Sequence, residues 1–268
     1  MTVIQMLKPQ AGLRVLITGG ASGIGLVTAR AFIDAGARVH VCDASPDAID
    51  ALAQAEACAE LNPITATLAD VSDRDAVERV FSDVESQLGG LDVLVNNAGI
   101  AGPTGGIEEI DVEAWEDTVD VNLNAQFYFA RRAVPLLRNA PHGGTIIALS
   151  SVAGRLGYAF RTPYAATKWA VVGMVKSLAI ELGPTNIRVN AIQPGVVKGP
   201  RIERVIAARA KQMNLSYDEM EQQYLAKISL RRMTTPEEVA ATALFLCSPA
   251  GSGISGQAIS VCGNVEVL

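Results

Sequence analysis

The chain has 268 residues, of which 49% are hydrophobic and 19% charged, and 22 basic against 28 acidic side chains give a net charge of −6. This length fits one large α/β domain or two small ones, and the composition supplies ample apolar material for a buried core. The acidic balance argues against a general nucleic-acid-binding protein, because such proteins usually carry a basic face.

Short apolar segments alternate with helical patterns along most of the chain. Strands are predicted where a mostly apolar run is bounded by turn residues, at 13–17, 38–42, 64–68, 91–95, 145–149, 187–192 and 258–261. Helices are predicted from apolar spacing and helix-end signals, at 25–35, 47–59, 73–88, 112–139 and 163–182. Continuous apolar strands joined by helices predict a doubly wound parallel sheet of about seven strands, with helices on both faces.

No sharp linker or low-complexity segment divides the chain, so we predict a single domain over residues 1–268. Segment 196–233 departs from the strand–helix rhythm, since it is polar and carries both signs of charge. We interpret it as one or two helices that project over the edge of the sheet and cover a substrate.

Neither a metal site nor a membrane segment is expected. The four cysteines are Cys42, Cys58, Cys247 and Cys262. They form no C-x-x-C pair and the chain has only two histidines, so we expect reduced thiols in a cytoplasmic protein and no structural zinc. Residues 1–12 lack the apolar core of a signal peptide, and no run of about 18 apolar residues is free of charge, so a membrane span is not expected.

A glycine-rich turn, Gly19-Gly20-Ala21-Ser22-Gly23-Ile24-Gly25, joins the first predicted strand to the first helix. A pyrophosphate must approach backbone N–H groups at such a helix N-terminus, where side chains would block it and the backbone angles favour glycine. We therefore predict cofactor contacts at Gly19, Ser22, Gly23 and Ile24. The spacing differs from the common G-x-G-x-x-G fingerprint, so the turn alone is equally compatible with an ordinary glycine loop.

Asp43 closes the second predicted strand, 18 residues after Gly25. An acid at about this distance accepts a hydrogen bond from the ribose 2′-OH of NAD and repels the 2′-phosphate of NADP. No arginine stands directly beside Gly23 or Asp43. The sequence therefore favours NAD over NADP, with a helix cap or loop acid as the alternative role of Asp43.

Tyr164 and Lys168 stand four residues apart in a predicted helix, which places both side chains on one face. A phenol with a pKa near 10 is too weakly acidic to act as a base at neutral pH. A neighbouring ammonium favours the phenolate, so the pair predicts a site of proton transfer.

The chain resembles the short-chain dehydrogenase/reductase family over nearly its whole length. The motifs that carry the resemblance are Thr18-Gly-Gly-Ala-Ser-Gly-Ile-Gly25, Asp70-Val71, Asn96-Asn97-Ala98-Gly99, Asn122, Ser150-Ser151, Tyr164-x-x-x-Lys168 and Pro194-Gly195. The resemblance implies a Rossmann-like fold and reversible hydride transfer between NAD and a small-molecule secondary alcohol or ketone. It also implies a homotetramer formed through the helices that bear Asn122 and Tyr164.

The resemblance implies four catalytic residues. Tyr164 is the general acid/base, and Lys168 favours its phenolate and holds the nicotinamide ribose. Ser151 orients the substrate oxygen; Ser150 is the second choice, because alternation along the strand turns it the other way. Asn122 holds a water in a proton relay toward the lysine, with a core amide that satisfies backbone groups as the alternative.

The resemblance implies further cofactor contacts, at Asp70, Val71, Asn97, Ala98, Gly99, Tyr164, Lys168, Pro194, Gly195 and Val197. Asp70 has a second interpretation, as a cap of the helix that begins near Asp73. Two positions depart from the family pattern. Gly199 stands where the family often has a threonine that contacts the nicotinamide carboxamide, and Cys262 lies in Val-Cys-Gly-Asn, where Val-Asp-Gly-Gly is more usual.

The sequence says least about the identity of the substrate. The candidate substrate contacts are Ser151, Tyr158 and Arg201. Segment 200–213 holds three arginines and Lys211 against the single acid Glu203, which suits a lid over an anionic or polyhydroxylated substrate. The alternative is an amphipathic helix whose charges face water. Two other functions stay open: a 3-oxoacyl or other ketone reductase, and a non-catalytic dinucleotide-binding sensor.

Overall fold

The protein is described here by a computed structural model that covers residues 2–57 and 63–267. Within these residues, seven parallel strands form one sheet in the order β3-β2-β1-β4-β5-β6-β7. The strands are β1 Arg14–Thr18, β2 Arg38–Asp43, β3 Thr65–Leu68, β4 Val93–Asn96, β5 Gly144–Leu149, β6 Ile187–Pro194 and β7 Ala258–Val261. The predicted seven-stranded parallel fold is confirmed.

The helices are α1 Val3–Met6, α2 Gly23–Asp34, α3 Pro46–Glu56, α4 Arg74–Leu88, α5 Val112–Val119, α6 Ala125–Leu137, α7 Thr162–Leu182, α8 Pro200–Met213, α9 Tyr217–Ala226 and α10 Pro236–Cys247. The single long helix predicted over 112–139 is wrong in detail, because a π-helical segment, Asp120–Asn124, separates α5 from α6. The end of the helix predicted over 47–59, and with it Cys58, lies outside the described residues.

Helix α10 was not predicted, although its start carries a local signal. Thr235 and Glu238 form a capping box around Pro236, which occupies the first turn. These are the residues expected at a helix N-terminus.

The central strands of the sheet are buried on both faces, which explains why β1, β4 and β5 are mostly apolar. Leu16, Leu94 and Ile146 pack on one side against α4, α6 and α7. Their neighbours Val15, Val93 and Ile147 pack on the other side, with residues of α2 and α10.

The order of the strands places the site. From β1 the chain proceeds outward to β2 and β3, then returns to β4 on the other side of β1. The loops that follow β1 and β4 therefore diverge and open a crevice at the carboxyl ends of these strands, where ligands bind in open α/β sheets.

Helices α8 and α9 occupy the segment 196–233 and pack on each other through a small apolar cluster that includes Ile206, Ala210 and Met220. In the described part of the chain, no helix has both the length and the apolar character needed to cross a membrane.

Candidate active site

The glycine turn has the geometry of a phosphate cradle. Gly19 and Gly23 have φ values of +59° and +52°, a region that glycine enters without strain. A Cβ on Gly25 would overlap the carbonyl oxygen of Gly19, whereas a Cβ on Gly23 would have no atom within 4 Å. Open space therefore lies at the N-terminus of α2, where backbone N–H groups and the helix dipole favour an anion.

Asp43 is held at the end of β2 by two backbone groups. Its carboxylate accepts hydrogen bonds from the N–H of Ala21 at 3.2 Å and of Ser45 at 3.1 Å. The N-cap of α3 is Ser45, whose hydroxyl accepts from the N–H of Ala48, so Asp43 does not serve as that cap. The acid is thus positioned toward the cleft beside the glycine turn.

Asn97 braces the two loops that form the crevice. Its amide donates to the carbonyls of Thr18 and Gly19 at 2.9 and 2.8 Å, and the Thr18 hydroxyl accepts from the N–H groups of Asn97 and Ala98. Asp70 accepts from the N–H and the hydroxyl of Ser72. The helix cap suggested for Asp70 is instead supplied to α4 by Asp73.

Tyr164 and Lys168 lie one turn apart at the start of α7. The Lys168 side chain is buried, donates to the Leu149 carbonyl at 2.9 Å, and places Nζ 5.6 Å from the centre of the Tyr164 ring. Ser151 follows β5, and its hydroxyl accepts from the N–H of Ala153. The Ser150 hydroxyl donates to the Lys168 carbonyl at 2.8 Å, so Ser150 supports α7.

The electrostatics of this group favour the phenolate. Burial raises the pKa of Tyr164. The charges of Lys168 and Arg201, the Ser151 hydroxyl and the charge of Arg161 lower it by more, so the pKa lies below its ordinary value. Burial also lowers the pKa of Lys168, which the phenolate opposes and Arg201 reinforces. Tyr164 therefore loses its proton more readily than a free phenol does.

Asn122 lies in the π-helical segment and is fully buried. Its amide oxygen accepts from the N–H of Ile100 at 2.8 Å, and its amide nitrogen donates to the Ile100 carbonyl at 3.1 Å and to Thr167. The backbone carbonyl of Asn122 accepts a hydrogen bond from the side-chain amide of Gln126. This is the geometry of the alternative, a core amide, and the water relay stays a prediction.

One cleft of about 1280 Å³ joins these elements and runs from the glycine turn to α8 and α9. Of the predicted site residues, Asn122 alone does not line it. The others that do are Gly19, Ser22, Gly23, Ile24, Asp43, Asp70, Val71, Asn97, Ala98, Gly99, Ser151, Tyr158, Tyr164, Lys168, Pro194, Gly195, Val197 and Arg201. Across the described ranges, no group of three His, Cys, Asp or Glu side chains is arranged to hold a metal ion.

Comparison with known proteins agrees with this geometry. A family model described as enoyl-(acyl carrier protein) reductase matches residues 19–264. A 3-oxoacyl-(acyl-carrier-protein) reductase from Thermotoga maritima is 37% identical over 252 residues, which cover 94% of this chain and 97% of that protein. The chain belongs to the short-chain dehydrogenase/reductase family.

Two solved structures of this family share the fold but hold different cofactors. An actinorhodin polyketide ketoreductase with NADPH is 31% identical, has a TM-score of 0.89, and covers 96% of this chain and 99% of its own. An NAD⁺-bound xylitol dehydrogenase is 25% identical, has a TM-score of 0.86, and covers 95% and 99%. The chain is thus an oxidoreductase of a family that works with nicotinamide dinucleotides.

Arg161 is a residue of the site that the sequence did not reveal. Its guanidinium carbon lies 5.4 Å from the centre of the Tyr158 ring and 5.5 Å from that of Tyr164. Nη2 donates to the Ala101 carbonyl at 2.7 Å, and buried Nε has no hydrogen-bond partner within the described structure. The preceding residue, Phe160, has a φ of +62°, an uncommon backbone conformation for an aromatic residue.

The two departures from the family pattern now have structural descriptions. Gly199 has a φ of +150°, a conformation that a threonine would adopt only with strain. The Cys262 sulfur accepts from the N–H of Val265 at 3.5 Å and from Arg155. A Cβ on Gly195 would lie 2.7 Å from the Cβ of Cys262, so this close contact requires glycine.

Proposed function

We propose that this protein is an NAD-dependent dehydrogenase that reversibly oxidises a secondary alcohol to a ketone. The observation that carries the proposal is the placement of Tyr164, Lys168 and Ser151 in one cleft with Asp43 and the glycine turn. NAD, when bound, supplies the carbon that accepts the hydride.

The residues fit this cofactor along the length of the cleft. The open space above Gly23 suits the pyrophosphate, and Asp43 lies where an acid meets the adenosine ribose. Lys168 would hold the nicotinamide ribose. Its ammonium, which now donates to the Leu149 carbonyl, would donate to a ribose hydroxyl instead of this carbonyl or in addition to it.

The chemistry assigned to the protein is proton handling. In the oxidative direction Tyr164 Oη, as phenolate, would accept the proton of the substrate hydroxyl, and the carbinol carbon would lose a hydride to the bound cofactor. The two electrons of the C–H bond leave with the hydride, and the O–H electrons form the carbonyl π bond. Ser151 Oγ donates a hydrogen bond to the substrate oxygen, and Lys168 stabilises the phenolate.

The choice of NAD rests on Asp43. A carboxylate hydrogen-bonds both ribose hydroxyls, whereas it repels a 2′-phosphate, which carries a like charge. Among the residues that the structure describes, the Asp43 carboxylate accepts hydrogen bonds from two backbone N–H groups and forms no ion pair. Both features favour NAD.

The deciding experiment is a hydride-transfer assay with NAD and NADP over hydroxy acids, sugars and aromatic alcohols. We expect reduction of NAD by at least one class, and the loss of turnover in Tyr164→Phe with NAD binding retained. Near-normal turnover in that variant would remove Tyr164 from its role. Absence of turnover across the panel, with cofactor bound, would favour the non-catalytic sensor, although a sensor has no need of Ser151, Tyr164 and Lys168 together.

A ketone reductase, including one that acts on 3-oxoacyl substrates, is the second candidate. It is supported by the relative from Thermotoga maritima and by the NADPH-bound ketoreductase. A preference for NADPH and faster turnover of ketones than of alcohols would select it over the dehydrogenase.

We also propose a homotetramer, for which α7 supplies a suitable surface. Trp169, Gly173 and Ile180 are exposed and recur at intervals that place them along one stripe of the helix. Phe127 of α6 is exposed as well. Exposed large apolar side chains, here Trp169 and Ile180 along one stripe of α7, are typical of an interface between subunits. A cytoplasmic location also stays a prediction.

A further inference from the structure

The part of the cleft beyond Tyr164 is lined by basic side chains. Besides Lys168, the basic residues that line the cleft are Arg161, Lys198, Arg201, Arg204, Arg209 and Lys227. The acids that line it are Asp43 and Asp70, which lie beside the glycine turn and after β3. Since the whole chain carries a net charge of −6, this concentration of positive charge is a property of the cleft and not of the composition.

Helix α8 directs its arginines to the cleft by the way it packs. Its apolar residues Ile202, Ile206 and Ala210 form one face, which packs with Met220 and Tyr224 of α9. Arg201 and Arg204 lie on the other side of the helix, Arg209 lies beside the apolar face, and all three line the cleft. Arg201 and Arg204 are exposed and also line the cleft, so a ligand in the cleft would meet their charges.

The arginines nearest the reacting groups have no neutralising partner. In the described part of the chain, neither Arg161 nor any of the three α8 arginines lies within 4.0 Å of a carboxylate oxygen. Arg161 is fixed by the Ala101 carbonyl and the two tyrosine rings, yet its buried Nε lacks a partner. Guanidinium ions that line one cleft without carboxylate partners repel one another, and an anion between them relieves that repulsion.

Arg201 and Arg161 are also close to the site of proton transfer. Arg161 lies 5.5 Å from the centre of the Tyr164 ring and donates to the Ala101 carbonyl, and Arg201 lines a small pocket together with Ala101. The charges of both arginines lower the pKa of Tyr164. An anion held by these two arginines would consequently lie a short distance from the alcohol carbon.

We propose that the substrate is an anionic hydroxy or oxo compound, whose carboxylate, sulfonate or phosphate group is bound by Arg201 and Arg161 while Tyr164 faces the carbinol. This inference rests on the proposed dehydrogenase function and narrows its substrate class. Guanidinium groups bind such oxyanions through paired N–H donors, which gives orientation as well as affinity.

The test compares substrates that share a carbinol and differ in charge. The oxidation of hydroxy carboxylates, hydroxy sulfonates and hydroxy phosphonates is measured with NAD and with NADP. Each is compared with the neutral methyl ester or diol of the same carbon skeleton. We expect kcat/KM for the preferred anion to exceed that of its neutral partner by at least about 10-fold, since hydrogen bonds to charged groups are stronger than neutral ones. The advantage should shrink at high salt.

The variant Arg201→Gln should remove most of that advantage by raising KM for the anion, and Arg201→Lys should restore part of it. Arg79→Gln is the matched control, because Arg79 is exposed on α4 and does not line the cleft. Equal kcat/KM for anion and neutral partner, or an equal loss for both in Arg201→Gln, would overturn the proposal.

Calorimetric titration separates this inference from the proposed function. The anions are titrated into Tyr164→Phe and into Tyr164→Phe/Arg201→Gln, each saturated with the nicotinamide cofactor that binds. Binding that depends on Arg201, without turnover by the unmodified protein, supports the anion site and refutes the dehydrogenase. If none of the anions binds, the inference is overturned, whatever the activity toward neutral alcohols.

Discussion

The ammonium of Lys168 lies 5.6 Å from the centre of the Tyr164 ring and is anchored to the Leu149 carbonyl. Burial raises the pKa of the phenol, but the positive charges of Lys168, Arg201 and Arg161 outweigh burial and lower that pKa. If Tyr164 is the base in alcohol oxidation, kcat/KM rises with pH through this pKa and levels off above it. The rising limb should therefore lie below pH 10, the ordinary value for tyrosine.

Arg161→Gln tests the origin of that shift. Removal of a positive charge beside the phenol raises its pKa, so the limb of the pH–rate profile should move to higher pH. The measurement is kcat/KM for alcohol oxidation from pH 6 to pH 10, with Arg79→Gln as the control that keeps the original limb. A limb that stays in place, or moves to lower pH, would show that Arg161 does not act on the base.

Asp43→Ser should weaken discrimination between the two cofactors. Loss of the carboxylate removes a hydrogen-bond acceptor for the ribose and the charge that repels a 2′-phosphate. We expect the ratio of kcat/KM for NADP to that for NAD to rise by at least about 10-fold, the equivalent of roughly 1.4 kcal/mol. Asp50→Ser, at an exposed position of α3, is the control. An unchanged ratio would place the cofactor preference elsewhere.

Gly25→Ala should abolish cofactor binding, because the new Cβ would overlap the Gly19 carbonyl and lie 2.6 Å from the Asn97 amide. The first group belongs to the glycine turn and the second braces it from the loop after β4, so the turn must open to admit the methyl group. Gly183→Ala is the control, since a Cβ there has no atom within 4 Å. Titration of NAD and thermal unfolding measure the two effects, and unimpaired NAD binding by Gly25→Ala would contradict the proposed cradle.

The sheet, and the placement of the predicted cofactor residues along one cleft, could be predicted from the sequence because their signals are local. Apolar runs identify strands that are buried on both faces. The glycines of the turn, Asp43 at a strand end and the Tyr164–Lys168 spacing each specify geometry within a few residues of the chain. Their meeting at one edge then follows from the parallel topology.

The rest depends on packing between distant segments. The interruption of the helix at Asp120–Asn124 accompanies the contacts of buried Asn122 with Ile100, a partner 22 residues away. The position of Arg161 over two tyrosine rings depends on the Ala101 carbonyl, 60 residues before it. Helix α8 packs against α9, so its charges alone did not predict which of its side chains line the cleft.

Ile180→Glu should disrupt the proposed tetramer. Ile180 is 82% exposed in the single chain, where a charge costs little, but a glutamate buried between two copies of α7 would be unpaired. Analytical ultracentrifugation should show smaller species for this variant, and thermal unfolding at low concentration should show a folded subunit. Glu181→Gln, at the adjacent exposed position, is the control. A monomeric unmodified protein would refute the interface.

His40 should make the protein less stable in mild acid. The ring is buried in β2, and its nitrogens hydrogen-bond the hydroxyls of Thr65 and Thr67 at 2.7 and 2.9 Å. Burial lowers the pKa of His40 from 6.5 to about 4. Between pH 6.5 and pH 4 the His40 ring is mostly protonated in the unfolded chain and mostly neutral in the folded one. The free energy of unfolding therefore falls as the pH drops from 6.5 toward 4.

The expected loss in the free energy of unfolding between pH 7 and pH 5 is about 2 kcal/mol, from the linkage of this one group. Urea unfolding at the two pH values measures it. His40→Gln keeps a hydrogen-bonding side chain without a titrating ring, so it should be less stable at pH 7 and lose less on acidification. His142→Asn, at an exposed position, should retain the full drop. An equal drop in His40→Gln and the unmodified protein would assign the acid sensitivity to other groups.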